Sequence, residues 1–422
     1  MNALDQVDFF SDKALVSNAL PFYEHLRSKG PVVRLSSHSN VVAVTGYDEG
    51  LAVFRDEENF SAVVAANGPL PPLPFTPEGE DITEQIERHR QEIPFGDLLV
   101  TQDPPIHTRL KPLLMGMITP KRLKENEAAM WEIADRQIDT FLGRGSCEVI
   151  ADYAWPFSGY VIGELLGVPP EDFAKLQIVR PSIPGQIGVG GGSNGTNIFH
   201  PTHGYFAERI EERRRAPTPD VLGGLAEVRY ADGALPPIEN VVKVAGFLFG
   251  AAQGTTARLI ATTLRRVAEN AELQQRLRSN RQLIPDLVEE ALRLEGSTKT
   301  DFRLAKRRTK VGDIEVEPGT IVMLLIHAMN RDPAKFSDPN QFDMERRNLR
   351  DHLAFGRGIH ACAGAPLARA EAKVTLERFL ARASDIRIDE AKHGPPDARE
   401  YEYLPTYLMY GLDNLHLTFR AA

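Results

Sequence analysis

Two short apolar-rich runs, VVRL (32–35) and VVAVTGY (41–47), flank the polar segment SSHSN and predict a β-hairpin. A stretch rich in proline and glycine, NGPLPPLPFTPEGED (67–81), breaks any regular period and predicts irregular backbone. Beyond it the spacing turns helical. RLKPLLMGMI (109–118) is one such run, and residues 128–142 carry Met130, Ile133, Ile138 and Leu142 at helical spacing. From Glu239 to Asn270 one helical pattern persists, apolar in its first half. That is long for a globular helix and predicts a buried spine. Residues 284–296 are amphipathic, with Leu287, Ala291 and Leu294 aligned, and PLARAEAKVTLERFL (366–380) predicts a further helix. Short strands are expected in GDIEV (312–316), GTIVMLLI (319–326) and NLHLTF (414–419), where Leu415, Leu417 and Phe419 alternate. No internal repeat or linker divides the chain. The expectation is one large domain over 1–422, mainly α with a smaller β region.

Composition narrows the partners. The 422 residues are 42% hydrophobic and 25% charged, ordinary for a globular protein, and the net charge is -9. That balance argues against nucleic acid, which needs a concentrated basic face. Two cysteines, Cys147 and Cys362, cannot make a disulfide framework. The N-terminal residues lack a basic segment followed by an apolar one, and the most apolar internal run, 244–252, is too short to cross a bilayer. A cytoplasmic protein without a membrane anchor is expected. A formal G-x-G-x-x-G at Gly190, Gly192 and Gly195 lacks the preceding strand and following helix of a dinucleotide site, so a surface loop is the better reading.

Cys362 poses the chemical question. A free cysteine is commonly a small buried hydrophobe. Zinc needs four ligands, and His360-x-Cys362 supplies two. A nucleophile needs a base, and His360 is poorly placed for one. Gly356, Gly358 and Gly364 around the cysteine allow close backbone approach to something large and flat. A helix starting just after it favours a thiolate. Such surroundings suit a thiolate ligand to an iron porphyrin.

Here a family resemblance enters. FGRGIHACAG (355–364) resembles, residue for residue, the haem-binding motif F-G-x-G-x-H-x-C-x-G of the cytochrome P450 family. The resemblance implies that fold, with the long central helix over the haem. It implies Cys362 as axial thiolate, Phe355 beside the sulfur, Gly364 closing the loop, and His360 on a haem propionate. Glu290 and Arg293 match the family's E-x-x-R, with Arg346 as the third member of a structural triad. Arg303 is similar to the second propionate ligand. DPPIHTRLK (103–111) resembles the start of the proximal helix, giving His107 and Lys111 as further propionate contacts, Lys111 standing where the family usually has arginine. With no C-x-x-C-H, the haem b is expected to be non-covalent.

FGAAQGTTARL (249–259) resembles the family's oxygen-activating segment. Ala251 and Ala252 leave room for O2, and Thr255 supplies the hydroxyl that organises water there. A threonine can also bond the carbonyl one turn back. Gly254 stands at the acid position. Two consequences are open: a water replaces the carboxylate, or proton delivery is impaired and reducing equivalents are lost as peroxide.

The implied reaction inserts one oxygen atom of O2 into a lipophilic small molecule such as a terpenoid, steroid or aromatic. Electrons come from NAD(P)H through a reductase and an iron–sulfur ferredoxin, since little chain remains after the haem helix for a fused reductase. Arg109, Lys111, Arg122 and Arg357 are candidates for the docking patch, and a monomer is expected. By resemblance Phe75, Phe95, Phe247, Leu248 and Leu408 line the pocket, with Leu70 and Leu404 nearby. GSTKTD (296–301) replaces an apolar run, so Thr298 or Lys299 is placed to meet a polar group on the substrate or to point away from it. Two other functions stay in view: a peroxide-using haem-thiolate peroxygenase and a haem-binding sensor without turnover.

Overall fold

The computed structural model describes residues 3–176, 200–218 and 220–422. The glycine-rich run at Gly190, Gly192 and Gly195 lies outside the described residues.

The N-terminal part builds a sheet. Helices α1 (Ala14–Ser17) and α2 (Leu20–Lys29) lead into β1 (Val32–Arg34) and β2 (Val41–Val44), which pair antiparallel as expected. The hairpin is shorter than its apolar run. Strand pairing stops at Val44, and Tyr47 opens α3 (Tyr47–Phe54), whose first turn carries Asp48 and Glu49 where the helix dipole favours acid. Tyr47 N–H donates to the Asp332 carboxylate at 2.7 Å, a long-range contact with no local sequence signal. β3 (Phe60–Ser61) follows, then the irregular proline-rich stretch and α4 (Thr83–His89).

The helical body is built from α5 (Ile106–Met117), α6 (Pro120–Glu125), α7 (Glu127–Leu142), α8 (Trp155–Leu166), α9 (His200–Arg215), α10 (Val221–Glu227), α11 (Ile238–Glu269), α12 (Ala271–Ser279) and α13 (Ile284–Glu295), with β4 (Ser146–Glu148) between α7 and α8. The spine is as long as its pattern predicts: α11 has 32 residues. Its neighbours α8, α9, α13 and α5 wrap it, and Val241, Ala245, Phe249, Ile260 and Leu264 are fully buried in the main core. Burial of each of these side chains larger than alanine contributes about 1.5–3 kcal/mol.

The chain then returns to the sheet with β5 (Asp301–Ala305), β6 (Thr309–Val311), β7 (Ile314–Val316) and β8 (Ile321–Leu324). The sheet order is β1-β2-β8-β5-β3, β8 running parallel to β2 and antiparallel to β5. In that register Arg303 faces Val322 across the ladder. The expected strand 319–326 ends at Leu324, and Ile326 starts the single turn α14 (Ile326–Met329). An irregular segment leads to α15 (Ala365–Arg382), β9 (Ala383–Ile388), α16 (Glu390–His393) and β10 (His416–Ala421). Leu415, Leu417 and Phe419 all face the core, as their alternation predicts. Among the described residues no helix is long and apolar enough to cross a membrane.

Candidate active site

Cys362 sits in the loop between the 3-10 turn Gly358–His360 and α15. Its N–H donates to the Phe355 carbonyl at 2.9 Å, which folds the loop back on itself. Gly356 and Gly358 hold positive φ, 62° and 71°. At Gly358 glycine is obligatory for a second reason: a Cβ would lie 2.1 Å from the Phe54 carbonyl oxygen. The close approach that this glycine permits is therefore to the end of α3, whereas the sequence suggested a flat ligand.

The thiol opens on a cavity of about 190 Å³ whose walls include Thr255, Thr298, Asp301, Phe355, His360 and Cys362. Cys362 is exposed there, yet surrounded by protein. Burial raises its pKa; the N–H groups of Gly364 and Ala365, Lys111 and Arg369 oppose that rise. Cys147 is remote from it, buried in β4.

Basic groups gather beside the cavity. The His107 and His360 rings lie 4.2 Å apart. Burial, then the charges of Arg303, His107 and Lys111, pushes His360 down to about 2. Burial and Lys111 bring His107 to about 4, with Asp103 opposing. Both imidazoles are thus neutral at pH 7 and act there as hydrogen-bonding groups. The Nδ1 of His360 is buried without a partner. Lys111 reaches the proximal loop, its Nζ donating to the Ala361 carbonyl at 2.8 Å. Arg303 pairs with Asp301 at 2.7 Å and lies over the Phe54 ring. This donor set, an orphaned imidazole nitrogen beside the cations Arg303 and Lys111 and next to a thiol-bearing cavity, fits a sulfur-ligated metal centre carrying anionic substituents. Haem has that chemistry.

On α11, Thr255 Oγ1 donates to the Ala251 carbonyl at 2.9 Å, the one-turn-back bond its sequence suggested. Two further donors were not evident from sequence. Ser297 Oγ donates to the Thr255 carbonyl at 2.7 Å, and Arg258 Nη1 to the Gly254 carbonyl at 2.5 Å. Arg258 is buried, its aliphatic stem packed against Gly411.

The triad comes together. Glu290 and Arg293, both fully buried, form a two-pronged pair at 2.6 and 2.8 Å. Arg293 also donates to the carbonyls of Asn330, Pro339 and Gln341. Arg346 meets Glu290 at 3.4 Å. The triad pins the segment after α14 onto α13.

The pocket residues divide. Thr298 lines the cavity with Thr255 and Cys362. Lys299 turns the other way: it is buried, its Nζ lies 3.5 Å from the Leu15 carbonyl, and burial brings it to about 8. Alternation along an extended segment explains the opposite directions. Phe75 stacks on His89 with centroids 5.2 Å apart, in a cleft with Thr83 and Arg307. Phe95 and Phe247 meet in a small cluster with Leu98. Leu248 packs into the main core and Leu408 into the sheet-side core. None of these five is among the residues lining the Cys362 cavity. Two of the docking cations are also engaged: Arg109 pairs with Asp232 at 2.9 Å and lies over Tyr230, and Arg357 bonds the Gly356 carbonyl at 3.0 Å.

Sequence reasoning missed a cluster below the loop. The Glu289 carboxylate, buried, takes Arg369 at 2.5 and 2.9 Å and His352 at 3.0 Å. The guanidinium of Arg369 lies 4.6 Å from the Phe355 ring centroid.

The family model for cytochrome P450 matches residues 200–384. The substrate-free structure of Mycobacterium marinum cytochrome P450 CYP150A6 superposes with a TM-score of 0.93, at 46% identity and 100% of both chains. The cytochrome P450 monooxygenase PikC of Streptomyces venezuelae is 29% identical over 95% of this chain and 91% of its own. The biotin biosynthesis cytochrome P450 of Bacillus subtilis is 29% identical over 96% and 97%. The chain belongs to the cytochrome P450 family. It is an oxidoreductase of the monooxygenase class, and the family's cofactor is haem bound through a thiolate.

Proposed function

We propose that the chain, folded as one domain over 1–422 and acting as a cytoplasmic monomer, inserts one oxygen atom of O2 into a lipophilic small molecule. A terpenoid, steroid or aromatic is the substrate class, and electrons pass from NAD(P)H through a reductase and an iron–sulfur ferredoxin. The observation carrying this reading is that Cys362 and Thr255 line one cavity, with His107, His360 and Arg303 gathered beside it.

Haem b, when bound, supplies the activation of O2. Cys362 is the residue to hold its iron, and Gly364 and Ala365 N–H groups steady the sulfur. His107 and His360 with Arg303 would hold its anionic side chains. Thr255 is fixed at two points, its hydroxyl donating to the Ala251 carbonyl and its own carbonyl accepting from Ser297. Thr298 offers a hydroxyl to a polar group on the substrate. The Glu290–Arg293–Arg346 triad works at a distance, as a structural clamp.

A reduced-protein carbon monoxide spectrum tests the ligand. The wild type is expected to give the red-shifted thiolate Soret band and C362S to lose it; a wild type without that band overturns the reading. A titration of the ferric protein against terpenoids, steroids and small aromatics then reads the substrate class from the low-spin to high-spin change. A second reading, oxygen transfer from hydrogen peroxide without a reductase, is favoured by the missing acid at Gly254. Turnover with peroxide alone that exceeds turnover with ferredoxin and O2 would select it.

A further inference from the structure

Glu289, His352 and Arg369, packed against Phe355 of the cysteine loop, are given no role in the function proposed above. Glu289 on α13 is buried with two basic partners. Burial opposes its charge, but the hydrogen bonds from His352 and Arg369 and the charge of Arg369 win and hold it at about 2, so it is ionised at working pH. On one side is His352. Its Nδ1 accepts the Ala354 N–H at 3.2 Å, which leaves Nε2 to donate to Glu289 and defines the neutral tautomer. On the other side Arg369 of α15 makes a two-pronged contact that fixes the plane of its guanidinium.

The guanidinium carbon lies over the Phe355 ring. The carbonyl of Phe355 accepts the Cys362 N–H, so the ring under the guanidinium belongs to the residue that sets the backbone of the sulfur. The side chain of Arg369 is 33% exposed and that of Glu289 3%, so the guanidinium bridges a buried anion and the protein surface.

We infer that Arg369, clamped by Glu289 against Phe355, is a positioning residue that lowers the electron donation of the Cys362 sulfur and so raises the reduction potential of the iron it holds. The inference rests on the proposed role of Cys362 as ligand. A fixed cation near a thiolate stabilises the added electron, and interactions around the ligating sulfur set the potentials of thiolate-bound metals. The cation over the ring adds a contact that orients Phe355. Lysine would keep the charge but lose the fork that Glu289 grips.

The test is a spectroelectrochemical titration of the ferric/ferrous couple in the haem-loaded wild type, R369Q and R369K, with the carbon monoxide spectrum recorded alongside. R369Q is expected to have a more negative potential with the thiolate band retained. R369K is expected to move in the same direction by less. An R369Q holoprotein with the wild-type potential overturns the inference. If R369Q fails to take up haem, R369K decides, and an unshifted potential there overturns it. Failure of the underlying reading looks different: the wild type itself would then lack the thiolate band.

Discussion

Arg258 Nη1 donates to the carbonyl of Gly254, one turn back along α11, at 2.5 Å. Position 254, where the motif resemblance leads one to expect an acid, is thus flanked by a buried cation. A Cβ at residue 254 would sit 3.0 Å from that same nitrogen and 3.4 Å from the Trp155 ring. An aspartate placed there meets the guanidinium first, and an opposite charge so close holds a carboxyl ionised. G254D is therefore expected to change product formed per NAD(P)H consumed by less than about twofold. A several-fold rise would show that the absent acid alone limits proton delivery.

Thr255 is held through both its hydroxyl and its carbonyl. T255V keeps the shape and removes the hydroxyl, so product per NAD(P)H is expected to fall several-fold with peroxide rising, while T255S stays near wild type. S297A removes the donor behind Thr255 and is expected to cost about 1 kcal/mol in thermal or denaturant unfolding. Equal coupling in T255V and wild type contradicts a role for the hydroxyl.

The Glu290–Arg293 pair has no exposed surface on either partner. Removing one side strands the other charge in the core, at about 3–5 kcal/mol. E290A and R293A are each expected to yield little haem-loaded protein. R293K keeps a charge but cannot serve three carbonyls and a carboxylate together. It is expected to melt well below wild type by calorimetry, and a wild-type melting temperature would contradict the clamp.

Glu371 on α15 is fully buried, and neither carboxyl oxygen has a partner within hydrogen-bond distance. Burial raises it from 4.5 to about 8. The sign follows from linkage. Between those two values the unfolded chain has released the proton and the folded one keeps it, so stability falls as pH rises through that window. E371Q is expected to flatten the fall between about pH 5 and 8. Parallel melting curves for E371Q and wild type across that range would rule the effect out.

Contiguous motifs made the centre of the site legible. Phe355 to Gly364, Glu290 with Arg293, and Ala251 to Thr255 are each set by spacing along one element, so the sequence carries their geometry. Pairs made across the fold left no such trace. Ser297 reaches Thr255, and Arg369 reaches Glu289, only because α11, α13 and α15 pack together. The direction of Lys299 likewise depends on which side of an extended segment meets α1, and the start of α3 at Tyr47 depends on Asp332. The long α11 and the alternation at Leu415, Leu417 and Phe419 were readable because burial repeats along them with one period.

Gly358 has a wider consequence. Because its missing side chain makes way for the Phe54 carbonyl, the cysteine loop is seated against a helix that begins more than three hundred residues earlier in the chain. The loop is thus a keystone shared by both ends of the protein, not a self-contained cassette. Transplanted into another scaffold without a matching α3 terminus it would have nothing to lean on, and a lesion at Phe54 would be felt at the sulfur.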